Sequence, residues 1–187
     1  MATQPIITEQ EYLELDRAAH YKNEFVDGEM YAMSGGTLRH SSLAARLIGD
    51  FSRQLDGKKC FVLTSDARIR TPKSGSYFYP DLSIICGDPE AYNDCNDLLV
   101  NPIVIVEVLS QSTSDYDHGK KFTHYREIPT LQAYLLVHTE EILVEQCTLQ
   151  PDGMWLLSDH PGPNAIVSLS SINCALHLGS IYEGAIR

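Results

Sequence analysis

The chain has no apolar run near the ~20 residues that a membrane-spanning helix requires, so no membrane segment is expected. Its first residues, Met1-Ala-Thr-Gln-Pro5, lack a basic region followed by an apolar core, and no secretory signal is read there. Cysteine is sparse: five residues, at 60, 86, 95, 147 and 174, with no closely spaced pair. The odd number and wide gaps argue against a disulfide framework and against a zinc site, and a reduced cytoplasmic setting is expected. Basic residues are also few, 14 Lys and Arg against 25 Asp and Glu, for a formal net charge of -11. That balance weighs against nucleic acid, whose phosphates are contacted mostly by Lys and Arg. A local basic face can nevertheless survive it, and acids gathered at a metal site add to the total while being neutralised there. No internal repeat, low-complexity tract or linker divides the 187 residues, which are read as one domain, 1–187, with a real core.

What is present is organised around Pro102-Ile-Val-Ile-Val-Glu-Val-Leu-Ser110. An almost unbroken β-branched run bounded by Pro and polar residues reads as a central strand buried on both faces. Glu107 sits inside it. A carboxylate there loses hydration at a cost of several kcal/mol unless it is paired, protonated or bound to a cation.

Around that strand the pattern is legible. Thr8-Glu-Gln-Glu11 is a capping box, predicting a helix over 8–18. Asp27-Gly28 between two β-rich runs predicts a two-residue hairpin over 23–33. Residues 38–56 read as a long helix with Ala44, Leu47, Ile48, Phe51 and Leu55 as its core stripe. Arg39, Arg46 and Arg53 are seven apart on roughly the opposite face, either a solvated face or one that tracks phosphates. His40 at the start of that helix is either structural or reaches a site at the sheet edge. Residues 60–64 and 67–70 read as strands, and Pro80 places Asp81 at the start of the apolar strand 82–86. Residues 87–100 read as an acidic surface loop. Residues 115–127 read as a helix on which Asp117, Lys121 and Tyr125 share a face, followed by a strand over 131–138 and a hairpin, 141–149 with 154–158, around Pro151-Asp-Gly153.

Asp81 and Glu107 on adjacent strands, about 4.8 Å apart, can share one divalent cation, with the carbonyl of Val108 completing its oxygen shell. A lysine beside such a site can orient or deprotonate water and stabilise developing charge, which is the chemistry of metal-assisted phosphodiester hydrolysis.

Pro80-Asp81 followed by Glu107-Val108-Leu109 resembles the PD-(D/E)XK nuclease superfamily, the fold of many type II restriction endonucleases. More narrowly, Glu24-Phe-Val-Asp-Gly-Glu29, His40, Pro80-Asp81, Val106-Glu-Val-Leu-Ser-Gln-Ser-Thr113 and Asp117-His-Gly-Lys-Lys-Phe-Thr-His-Tyr125 resemble a family of restriction-endonuclease-like proteins of unassigned function. The resemblance spans about residues 8–140. It implies an α/β, restriction endonuclease-like fold, a mixed central β-sheet flanked by helices with extra β-hairpins. It implies a Mg²⁺- or Mn²⁺-dependent DNA endonuclease with Asp81, Glu107 and the Val108 carbonyl on the metal. The superfamily's lysine slot, two residues after the acid, holds Leu109. The narrower family moves the lysine to the following helix, where Lys121 matches and Lys120 is its rival. By the same resemblance Glu24 supplies a further metal or water contact, and His40 binds a phosphate or supports the site; Arg39 and Arg46, from the spacing of the arginine stripe, are the residues expected to face nucleic acid with it. A homodimer is implied too, and the 141–158 hairpin is a candidate for its interface. The competing expectations are a weak or inactive nuclease-fold module that binds nucleic acid or a protein, and a metal-dependent hydrolase of small phosphate esters.

Overall fold

The structure, a computed structural model, describes residues 6–33, 35–93, 97–109 and 116–185. The capping box forms as expected: Thr8 caps helix α1 (Glu9–Ala18), and its side chain and the Glu11 carboxylate satisfy each other's backbone donors. The hairpin β1 (Asn23–Val26) and β2 (Glu29–Ala32) turns through Asp27 and Gly28, both with positive φ (54° and 83°), the conformation for which Asp-Gly is selected. Then follow helix α2 (Leu38–Leu55), β3 (Cys60–Thr64), β4 (Arg68–Arg70), β5 (Tyr77–Phe78), β6 (Leu82–Cys86), β7 (Leu98–Leu99) and β8 (Val104–Leu109). A π-helical turn (Asp117–Lys121) runs into the short helix α3 (Phe122–Tyr125). The chain continues through β9 (Ala133–His138), β10 (Leu143–Leu149), β11 (Trp155–Pro161), β12 (Ile166–Leu169), β13 (Cys174–His177) and helix α4 (Leu178–Glu183).

Six strands form the main sheet in the order β11-β10-β9-β8-β6-β3. β8 and β9 run parallel and the other neighbours antiparallel, so the sheet is mixed, as expected. Five short strands, β2-β1-β5-β4-β7, make a second sheet, and β12-β13 a third. The central strand is buried along its whole length and alternates. Val104, Val106 and Val108 join the core under α2, with Leu43, Leu47, Phe51 and Leu55. Ile105 and Leu109 join the opposite core, with Tyr125, Tyr134 and the Phe78 side of the second sheet. Glu107 falls by this parity on the second face, under the π-turn and α3.

Several expectations are corrected. The predicted α-helix over 115–127 is widened in its first part into the π-turn, a local geometry that recurs at functional sites. The α2 stripe includes the fully buried Leu43, while Ala44 and Ile48 are only partly buried. In the stretch read as an acidic loop, Leu98 and Leu99 form β7, buried beside β4. Beyond the predicted hairpin, Leu178–Glu183 form helix α4, packed on α2. Cys60 and Cys86 form a disulfide, against the reading of unpaired cysteines. Sequence spacing is blind here, because the antiparallel register of β3 and β6 sets the two residues directly opposite, with Cα atoms 4.0 Å apart. Among the described residues no helix is long and apolar enough to cross a membrane.

Candidate active site

The site is built where the C-terminal half of β8 faces the start of β6. Leu82 pairs with Val106, so Asp81, one residue earlier, lies beside Glu107 and Val108. Asp81 Oδ2 accepts a 2.7 Å hydrogen bond from the Val108 amide and sits 3.1 Å from His40 Nε2. Glu107 Oε1 accepts from the Tyr125 hydroxyl (3.0 Å) and from Lys121 Nζ (3.2 Å), and its Oε2 faces the Asp81 amide at 3.4 Å. Lys121 Nζ also lies 3.0 Å from Glu24 Oε1 and 3.3 Å from Asp117 Oδ1. Three carboxylates from three elements thus meet at one ammonium.

Glu24, Glu107, Asp117 and Lys121 are all buried, at 3–6% exposure. Desolvation therefore dominates. It pushes the Glu24 carboxyl up, and the Glu107 carboxyl well above the usual carboxylate range. Lys121 opposes both rises, while Asp81, Asp117 and Glu24 add to that of Glu107. Burial pulls the Lys121 ammonium down, but Glu107, Glu24 and Asp117 more than reverse this and hold it charged. His40 is raised by its hydrogen bond to Asp81 against opposing desolvation. The cluster as a whole holds more acid than base: four carboxylates with one lysine and one histidine. Asp117 Oδ1 is buried and meets Lys121 as an ion pair without a hydrogen bond, so its acceptor capacity is not fully used. An excess of buried carboxylate oxygen is the donor set that suits a hard divalent cation, and these residues fit one.

A cleft of about 600 Å³ opens onto Asp81, Glu107, Asp117 and Lys121, with His40 and Ser41 of α2 on its far wall. Thr37 caps α2 there, and Gly36 gives way to the His40 ring: a Cβ at that position would lie 2.6 Å from His40 Nδ1. Lys22 also lines the cleft, held by the Ser65 carbonyl (2.8 Å) and Asp66 (2.7 Å).

Not every predicted residue comes to this place. Lys120 pairs with Asp27 at 3.3 Å and is half exposed, so of the two lysines Lys121 alone joins the carboxylates. Val108 meets Asp81 through its amide. Arg46 caps the final carbonyls of α4 (2.7 Å to Ile181 O and 2.5 Å to Ser180 O), and Arg39 bonds the Thr139 carbonyl. Both lie off the cleft, against the expected phosphate-tracking face; the helix face that lines the cleft carries His40, Ser41, Ala44 and Ala45. Glu24 is no solvated edge acid, since all of β1 is buried. Two members went unread as site residues, Asp117 and Tyr125; their i, i+4, i+8 spacing with Lys121 was the available signal.

Known proteins agree with this architecture. The family model Uma2, described as "Putative restriction endonuclease", matches residues 9–178. The chain belongs to the Uma2 family. Two relatives from Synechocystis sp. (strain ATCC 27184 / PCC 6803 / Kazusa) carry the names "Uncharacterized protein slr1290" and "Uncharacterized protein sll1609". The first is 35% identical over 180 residues, covering 96% of this chain and 93% of its own. The second is 35% identical over 170 residues, covering 91% and 96%. A crystal structure from Anabaena variabilis ATCC 29413, titled as a "putative nuclease belonging to DUF820", superposes with a TM-score of 0.80 at 17% identity, over 95% of this chain and 98% of that one. At that identity it shows the fold alone, a restriction endonuclease-like α/β fold for this Uma2 member.

Proposed function

We propose that this Uma2 protein is a divalent-metal-dependent endonuclease that hydrolyses phosphodiester bonds in DNA. The observation that supports it best is the convergence of Glu24, Glu107 and Asp117 on Lys121, beside Asp81, at the floor of an open cleft. Asp81 and Glu107 would hold Mg²⁺ or Mn²⁺, with Glu24 and Asp117 as further oxygen donors. Such an ion, when bound, neutralises phosphoryl oxygens and acidifies water.

The chain's own groups do the rest. Lys121 is held charged, so it acts by donating hydrogen bonds to water and to the oxygens on which charge develops, a preorganised electrostatic role. Tyr125 and the Val108 amide fix the Glu107 and Asp81 carboxylates in place before substrate arrives. His40, kept protonated over a wider pH range by Asp81, offers a cation to phosphate at the cleft wall. A second copy would suit two-strand cutting, and β11, the terminal strand of the main sheet with Leu156 and Leu157 exposed, is the edge at which it would dock.

The test is cleavage of supercoiled plasmid at low salt with Mg²⁺, Mn²⁺ or EDTA. Asp81→Asn keeps an acceptor for the Val108 amide, and Lys121→Arg keeps the positive charge, so both variants should fold. The expectation is metal-dependent cutting that falls at least ~10²-fold in each. Cutting that persists in EDTA, or in Asp81→Asn, overturns the reading. Retention on immobilised DNA that weakens steeply with salt separates this from hydrolysis of small phosphate esters.

A further inference from the structure

Beyond the carboxylate cluster, the structure brings together a second group of metal-ligating side chains of different chemistry. His118 lies in the π-turn, His138 ends β9, and Glu145 is in β10. Glu145 pairs with Leu136, so His138, two residues along, lies diagonally beside it on the same face of the sheet. The π-turn crosses that face and brings His118 over both. His118 Nε2 lies 2.8 Å and His138 Nε2 2.7 Å from the same oxygen, Glu145 Oε1, and the two rings meet edge to face at 6.2 Å. One ligand atom from each side chain falls within 4.8 Å of the others. All three side chains are partly exposed, at 15–35%, so an ion can enter from solvent.

We propose that His118, His138 and Glu145 form a second cation site, selective for a d-block divalent ion such as Zn²⁺ or Co²⁺. Two imidazole nitrogens and one carboxylate oxygen are the donor set of three-ligand zinc sites, with one position left for water, whereas Mg²⁺ prefers oxygen donors throughout. The other nitrogen of His138, Nδ1, faces the exposed carboxylate of Glu141 at 4.0 Å, beyond direct hydrogen-bond reach. The expectation of no zinc site rested on cysteine spacing, and this proposed site, which uses no cysteine, runs against it. An ion here clamps the turn that carries Asp117 and Lys121 onto β9 and β10.

The experiment is Co²⁺ titration of the full chain, followed by visible absorption, with Zn²⁺ in competition. The expected result is one tight ion that excess Mg²⁺ does not displace. It is retained in Asp81→Asn, and its affinity falls by more than ~100-fold in His118→Gln and His138→Gln, beyond the loss caused by removing an outer-shell partner. Histidine resonances of the wild type give a second reading that needs no variant: Zn²⁺ should shift His118 and His138. The proposal is overturned if the wild type binds no ion, if the histidine variants bind as the wild type does, if Asp81→Asn abolishes binding, or if those two resonances do not move. In any of these cases the three side chains are a hydrogen-bonded triad and nothing more.

Discussion

The π-turn joins two ionic clusters that solve the same problem in opposite ways. On one side Asp117 and Lys121 reach into a buried group with Glu24 and Glu107, where carboxylates outnumber the ammonium. On the other His118 reaches a half-exposed group in which two imidazoles face one carboxylate. Successive residues of a helical turn project from different sides of it, so one turn serves both. The buried cluster stores an excess of negative charge that folding must tolerate, while the half-exposed cluster is balanced by its own hydrogen bonds. Such a contrast fits the two proposals, an all-oxygen group suited to a hard cation beside a group with imidazole nitrogen suited to a d-block ion.

The largest effect should come from removing the one cation of the buried group. Lys121→Met leaves Glu24, Glu107 and Asp117 without their shared partner, and urea unfolding of the metal-free protein should show a loss of roughly 3–5 kcal/mol. Glu107→Gln should move stability the other way, up by about 1 kcal/mol, because it removes a surplus buried charge at the expense of function. A destabilised Glu107→Gln protein would mean that the carboxylates are balanced already, and the comparison would break.

The pH response sharpens it further. Glu24 and Glu107 are raised by burial, so in the metal-free protein their protonation favours the folded state. Stability from that cluster should rise as pH falls through their folded pKa values toward the ordinary 4.5. At Glu145 burial acts upward, but hydrogen bonds from His118 and His138 more than reverse it, and the folded value lies below 4.5. Its contribution is therefore present above 4.5 and lost as pH falls through the folded value. Thermal melts of Glu107→Gln and Glu145→Gln across pH should diverge from wild type with opposite slopes. The smallest effect is that of Glu145→Gln at neutral pH, a loss below ~1 kcal/mol, as befits a partly exposed ionic contact.

Much of this was legible in the residues. The capping box at Thr8, the Asp27-Gly28 turn and the central run at 104–109 are local signals, and each formed where it was read. Asp81 and Glu107 were legible as a pair because Pro80 marks a strand start and an acid inside an apolar strand needs a reason. Lys121 was reached by resemblance, and the structure separates it from Lys120, which turns outward to Asp27. The Cys60–Cys86 bond, the His118–His138–Glu145 group and the backbone-carbonyl contacts of Arg39 and Arg46 were not legible. Each depends on which strand or helix lies opposite, and composition and periodicity carry no record of partners distant in the chain.

The sequence by itself determined most of the elements, the buried central strand and the identity of the two acids at its heart, because hydrophobic periodicity, caps and turn chemistry act over a few neighbouring residues. Only the tertiary structure decided what those acids meet. It drew Glu24 in from the second sheet, widened the helix into a π-turn that carries Asp117 and Lys121 inward and His118 toward β9 and β10, and closed a cleft between α2 and the end of β8. The physical reason is that desolvation and charge pairing act through space, and their magnitude is set by which elements pack together.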